Sequence, residues 1–389
     1  MFSRRTGWSR TPNRLAELTA GASDLLDLTE SNPTRAGFAS PDLVALLGER
    51  RGAHYRPDAR GVLEAREAVA AYYAGRGMTV PVDAIVLSAS TSEAYAWMFK
   101  LLCEPGDTVL VPTPAYPLLP FLAELESVTL AGYPLVREER HRVDLAALES
   151  RLASTRARAI TLVHPGNPTG HFTRRDEAAA IGVLARRHDA ALLVDEVFAD
   201  YPHGALETDR LPSFVGGTEA LTFVMSGLSK VALAPQLKLG WIVVTGADEA
   251  LRREALERLE VVADSYLSVA TPVQLALPEI FEAVPALQAR VRERLTRNLA
   301  TLDRVLHAAG EGCPVARAPL DGGWYATVQV PRTRTDDEWL EATIGAGVLV
   351  HPGYFFDMPT SGRMVVSLLT AEAIFAEGIA RCVRLWSDG

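Results

Sequence analysis

The stretch Leu221-Thr222-Phe223-Val224-Met225-Ser226-Gly227-Leu228-Ser229-Lys230 decides the reading of this chain: a short apolar run that breaks at small residues and ends on a lysine. Two upstream stretches have the same form. Ala191-Leu192-Leu193-Val194 runs into Asp195, and Ile160-Thr161-Leu162-Val163 is followed by Asn167. Each apolar run reads as a buried parallel strand, and in an open α/β sheet the ends of such strands share one crevice. An amine, a carboxylate and an amide are thereby directed to one place. That combination suits a lysine that condenses with an aldehyde cofactor whose ring is held by the acid.

Working outward, helix and strand patterns alternate along most of the chain. Strands are expected at Ala84–Leu87, Thr108–Val111, Val128–Ala131 and Gly240–Thr245 beside the three above. Helices are expected at Val62–Ala74, Ser92–Leu102, Leu118–Leu125, Leu145–Ser154, Asp176–Arg187 and over 248–263. This predicts an α/β fold: a three-layer large domain around a mostly parallel seven-stranded sheet. Residues 285–309 carry Leu and Val at helical spacing and read as a long helix leading into a small α+β domain. There, strands at Trp324–Val330 and Met364–Leu368 alternate with helices at Asp337–Ala346 and Ala371–Val383. Residues 1–35 read as an irregular arm, and Pro41–Arg50 as a short helix. The expected division is 1–45 for the arm and part of the small domain, 46–283 for the large domain and 284–389 for the small one.

Composition narrows the function. At 389 residues the chain exceeds one ordinary core. Its 48% hydrophobic and 22% charged residues are those of a globular protein, and a net charge of −9 argues against nucleic acid as a partner. Cys103, Cys313 and Cys382 are scattered and odd in number, which fits a reducing cytoplasm and no metal site. No apolar segment follows the N-terminal arginines as a signal peptide would need, and no run nears the ~20 residues of a membrane span.

The turn His164-Pro165-Gly166-Asn167-Pro168-Thr169-Gly170, the acid stretch Val194-Asp195-Glu196-Val197-Phe198 and Ser226 to Lys230 occur in the order found in the class I/II, aspartate-aminotransferase-like enzymes that use pyridoxal phosphate. The chain resembles that family over nearly its whole length. The resemblance implies that Lys230 forms the Schiff base, that Asp195 pairs with the pyridine nitrogen and that Asn167 hydrogen-bonds the ring 3′ oxygen. Further matches imply a phosphate site from Ser90 and Thr91 in Ser88-Ala89-Ser90-Thr91-Ser92, with Ser226, Ser229 and Lys238, and a stacking ring at Tyr116. The plain alternative there is capping of the following helix by Ser90 or Ser92. Tyr55 matches a tyrosine that reaches the phosphate of a neighbouring subunit, which implies a homodimer with shared sites. On the substrate side, Arg363 matches the arginine that grips the α-carboxylate, and Glu30-Ser31-Asn32-Pro33 matches a loop over the substrate. Tyr354 and Trp324 are candidates for the substrate side chain, with core packing as the alternative.

Four positions depart from the family pattern. Ser31 and Ser90 stand where glycine is usual, Lys238 where arginine is usual, and Phe198 where a tyrosine often donates to the 3′ oxygen. A lysine gives a compact charge in place of a planar fork, and phenylalanine donates nothing. The reading that follows is an aminotransferase moving an amino group from an L-amino acid to a 2-oxo acid, with neutral donors favoured because no second arginine can be assigned. A C–S lyase or an amino-acid oxidase on the same fold would use the same three groups. A non-catalytic regulator would need a winged helix ahead of this domain, and the segment before Tyr55 is too short for one.

Overall fold

A computed structural model of the protein describes all residues other than 22, 23, 56, 138, 205–207, 268 and 389. The seven expected strands form one sheet, joined at its edge by an eighth. In spatial order they are Ile85–Ser88, Gly240–Thr245, Thr222–Gly227, Ala191–Asp195, Ala159–Val163, Thr108–Thr113, Thr129–Arg137 and His141–Val143. The five from Thr222–Gly227 to Thr129–Arg137 run parallel, and the remaining three pair antiparallel. Every residue of Ala159–Val163 and Ala191–Asp195 is buried, as expected of strands covered on both faces. The pairing register sets Val163 beside Asp195 and Asp195 beside Met225, so the three chemistry-bearing segments leave the sheet at one level.

Two apolar layers sandwich this sheet. One joins Val86, Leu193, Phe223 and Ile242 to helix residues such as Trp97, Met98 and Leu259. The other joins Leu192, Val194, Val224 and Trp241 to Tyr73, Ile280 and Val284, and it continues without a break into the small sheet. That sheet is antiparallel, in the order Ala316–Arg317, Tyr325–Gln329, Arg363–Ser367 and His351–Pro352. Trp324, Trp339 and Trp386 are fully buried around it.

Two segments differ from expectation. The arm is not wholly irregular. Arg14–Thr19 is helical, with the Asn13 side chain accepting from the Ala16 N–H at 2.9 Å. Leu26–Asp27 pairs in parallel with Val348–Leu349. Six helical residues and a two-residue strand leave no periodicity to read, and the partner strand lies more than 300 residues away. The long helix spans Leu277–Ala308, beginning eight residues before Pro285. Leu277, Ile280, Phe281 and Val284 carry the same helical spacing upstream of 285. Pro278 stands in the first turn, where proline is suited, and Pro285 lies inside, with no N–H to give the carbonyl four residues earlier.

A tight seam joins the small sheet to the large one. The Asp321 N–H donates to Gly170 O at 3.1 Å, the Gly323 N–H to Tyr201 O at 2.8 Å, and the His203 N–H to Asp321 O at 2.8 Å. Arg174 reaches Asp321 at 3.1 Å. Backbones are so close that a Cβ on Gly170 would lie 2.0 Å from Leu320 Cδ1, and one on Gly322 would lie 2.5 Å from the Phe172 ring.

Candidate active site

The strand ends open on a cavity of about 290 Å³ whose lining includes Lys230, Asp195, Asn167, Phe198, Tyr116, Ser90, Thr91, Ser229, Lys238 and Ser31. The lysine comes first in building it. The strand Thr222–Gly227 passes directly into the short helix Leu228–Val231, and the switch needs glycine, since a Cβ on Gly227 would meet Gly240 Cα at 3.1 Å. The short helix is pinned by its carbonyls: the Tyr201 hydroxyl donates to Lys230 O at 2.6 Å and the Gln288 amide to Val231 O at 3.0 Å. The amine projects beyond them, 5.3 Å from the Trp324 ring centre and 5.8 Å from that of Phe198. Burial pulls the Lys230 pKa below the ordinary lysine value, and the nearby Asp195 charge partly opposes this. A neutral amine is thereby more accessible than on a surface lysine.

Asp195 ends its strand 7% exposed, with the Val197 N–H donating to Oδ1 at 3.1 Å. Burial pushes its pKa up to about 6, against the Val197 N–H, the Lys230 charge and the Tyr95 hydroxyl, which all favour the anion. Asn167 sits in the turn after Val163, and its buried Oδ1 has no hydrogen-bond partner. The three groups of the opening motif therefore do face one space.

At the other end of the cavity the helix Thr91–Leu102 begins. Ser90 caps it, its Oγ accepting from the Glu93 N–H at 3.1 Å, while the Glu93 carboxylate accepts from the Ala89 N–H at 2.6 Å. The capping alternative for Ser90 is thus realised, although the residue also lines the cavity. Thr91, Ser92, Ser229 and Lys238 complete a ring of hydroxyls and one cation, arranged as an anion would need. Lys238 holds a left-handed backbone, φ 51°.

Some expected residues lie elsewhere. Tyr55 is 67% exposed and does not line the cavity of its own chain. Ser226 is buried in the sheet, its Oγ without a partner, one residue short of the cavity wall. Arg363 begins its strand outside the lining, with Nη1 donating to Gly362 O at 3.2 Å. Burial lowers its pKa, and the charges of Arg137 and Arg332 lower it further. Tyr354 is turned to solvent and donates to Asp337 at 2.9 Å, whereas Trp324 is fully buried behind Lys230. Conversely, Tyr325, Ser92 and Val197 belong to the lining without having been singled out. Tyr325 falls within the expected strand Trp324–Val330, where nothing in the flanking sequence separates it from core. Tyr95 follows Thr91 by one helical turn, so both share a face; that spacing was the available signal.

Comparison with known proteins gives the class. The family model for aminotransferase class I and II matches residues 16–375, and the chain belongs to that family. It is 30% identical over 270 residues to the alanine aminotransferase of Mycobacterium bovis, a match covering 67% of this chain and 61% of that protein. It is 28% identical over 256 residues to the glutamate-pyruvate aminotransferase of Escherichia coli K12, covering 65% of this chain and 62% of that one. Against the tyrosine aminotransferase of Mus musculus it is 26% identical over 328 residues, covering 82% and 70%. The first two matches thus span about six-tenths of those relatives' length. Among solved structures, alanine aminotransferase from Pyrococcus furiosus superposes with a TM-score of 0.87 at 20% identity over the whole of both chains. A mutant aspartate aminotransferase of Thermus thermophilus gives 0.84 at 23% over 99% of both. At these identities the structural likeness is one of fold.

Proposed function

We propose that the protein is a pyridoxal-phosphate-dependent aminotransferase that moves an amino group from an L-amino acid to a 2-oxo acid. The observation that carries this is Lys230 and Asp195 facing one cavity, close enough that each charge acts on the other. The cavity also fits the cofactor on its own terms. Asn167 Oδ1 is buried and unpaired, Thr91, Ser229 and Lys238 offer hydroxyls and a cation for a phosphate, and Tyr116 supplies a flat ring. When bound, the cofactor supplies an aldehyde for an amine and a ring that withdraws electrons from the substrate Cα.

The chain's residues do the rest. Lys230 provides the amine that holds the aldehyde. As a free amine Lys230 would also serve as the base for the substrate's Cα proton, and the burial that lowers its pKa favours the neutral form that role needs. Asp195 is the acceptor that keeps a ring nitrogen protonated. The environment that raises its pKa also denies it water, so a cationic partner restores its charge. Phe198 and Trp324 keep the amine in apolar surroundings. Arg363 binds the α-carboxylate after its side chain swings from the Gly362 carbonyl.

Tyr55, exposed here, serves the phosphate site of a second copy, so the working form is a homodimer. The division into an arm with part of the small domain (1–45), a large domain (46–283) and a small domain (284–389) belongs to the same reading. A cytoplasmic setting does too. No helix among the described residues is long and apolar enough to cross a membrane.

The test is a half-reaction. Loaded protein given an amino donor alone should lose the visible absorbance of the bound aldehyde and release one equivalent of 2-oxo acid. A lyase would release a fragment of the donor and keep its absorbance. Lys230→Ala should have no such band at any pH. Survival of the band would remove the lysine assignment.

A further inference from the structure

Lys230 belongs to a helix of only four residues, Leu228–Val231, too short for its own ladder to fix which way the amine points. The carbonyls that end a helix find no partner within it. Those of Lys230 and Val231 are met from outside, by the Tyr201 hydroxyl at 2.6 Å and the Gln288 amide at 3.0 Å. Tyr201 also bonds to what surrounds the amine. Its N–H donates to Phe198 O at 3.0 Å, and its carbonyl accepts from the N–H of Gly323, the residue before Trp324, at 2.8 Å. Its ring meets the Trp324 ring edge-on, with centres 5.2 Å apart. The buried Trp324 indole N–H has no hydrogen-bond partner among the described residues, so the indole is held by packing and by the chain at Gly323. The residue before Tyr201 is fixed in turn: the Asp200 carboxylate accepts from the Tyr72 hydroxyl at 2.7 Å and meets Arg76 at 3.5 Å.

One fully buried residue thus joins the main chain of the lysine to both rings that face its amine. We propose that Tyr201 is a positioning residue for Lys230: with Gln288 in support, it clamps the lysine so that the amine keeps its place between the Phe198 and Trp324 rings. Burial at that place withholds the water that a charged amine needs and favours the neutral form. The inference deepens the aminotransferase reading above, in which that amine holds the cofactor and takes the Cα proton.

The first measurement uses the full chain without cofactor. The rate at which acetic anhydride modifies Lys230, followed against pH by the mass of its peptide, gives the midpoint of the amine's ionisation. Tyr201→Phe keeps the ring and the main-chain bonds and removes only the hydroxyl. Its midpoint should rise by roughly one unit toward the ordinary lysine value as the amine gains water. Tyr133→Phe is the control. Tyr133 is equally buried and its hydroxyl donates to Thr161 O at 2.7 Å, so a bond of the same kind is lost between strands that do not carry the lysine. That variant should keep the native midpoint. An unmoved midpoint in Tyr201→Phe, or an equal rise in Tyr133→Phe, would overturn the clamp. Should Tyr201→Phe not fold, Gln288→Leu decides alone: a smaller rise supports the clamp and none sinks it.

The half-reaction of the loaded protein gives the second measurement. A misplaced amine should slow Tyr201→Phe by about ten- to a hundredfold at saturating donor, with the half-saturating donor concentration near the native one. A defect confined to half-saturation would contradict the clamp. The two measurements also separate this inference from its parent. A raised midpoint with no half-reaction in the native protein leaves the clamp standing and removes the aminotransferase reading. A native half-reaction with no raised midpoint removes the clamp alone.

Discussion

The two walls of the cavity are made in opposite ways. The wall with Lys230, Asp195 and Asn167 is a row of parallel strand ends, where ladder register alone sets the groups side by side. Asp195 is buried there and Lys230 and Asn167 partly so, and burial shifts the pKa of the acid up and of the amine down. The wall with Ser31 and Tyr325 is assembled from segments almost 300 residues apart, brought together by Ser367, which pairs with Tyr325 across the small sheet and donates twice to the arm. Chemistry sits where the fold is least able to move. The second wall depends on contacts between segments far apart in the chain.

The comparison can be broken first on the rigid side. Asp195→Asn should lower turnover by roughly 10²–10³, the scale for removing one preorganised electrostatic group. In the cofactor-free protein the same change should stabilise. Burial raises the folded pKa from 3.8 to about 6, so the folded state holds its proton more tightly than the unfolded chain. Stability is then highest below about pH 4 and is lost as pH rises from about 4 to 6. The asparagine protein should lack that loss. Thermal melts of both apoproteins across this range would show it, and parallel melting curves would contradict the assigned burial cost.

A smaller effect is expected at the border of the two walls. Arg363→Leu should cut kcat/KM by about a hundredfold, mostly through KM, if the guanidinium leaves Gly362 to meet a carboxylate. A change under about threefold would mean that the arginine stays where it lies in the free protein. The smallest effect belongs to Phe198→Tyr. A new hydroxyl beside the 3′ oxygen should lower the pH at which the bound cofactor's absorbance titrates by roughly one unit. An unchanged titration would show that Asn167 already satisfies that oxygen.

The sequence was most readable where structure is local. Runs such as Ala191–Val194 announce buried parallel strands because both faces need apolar residues, and the polar residue that ends each run is where the chain leaves the sheet. Lys230, Asp195 and Asn167 could therefore be brought together before any coordinates. Ser31 was reached only through the family resemblance, because what brings it and Tyr325 to one cavity is the pairing of Tyr325 with Ser367 and one side chain reaching across to the arm. Leu26–Asp27 escaped for the same reason: its partner is Val348–Leu349. The long helix begins at Leu277 and not at 285, a start that the spacing of Leu277, Ile280, Phe281 and Val284 already carries.

The interlocked glycines at 170 and 322 carry one more consequence. With Gly170 against Leu320 and Gly322 against Phe172, that joint behaves as a rivet, not as a hinge. Breathing of the small sheet must pivot elsewhere, and the amides of Asp321 and Gly323 should exchange their hydrogens with solvent far more slowly than those of the arm that carries Ser31.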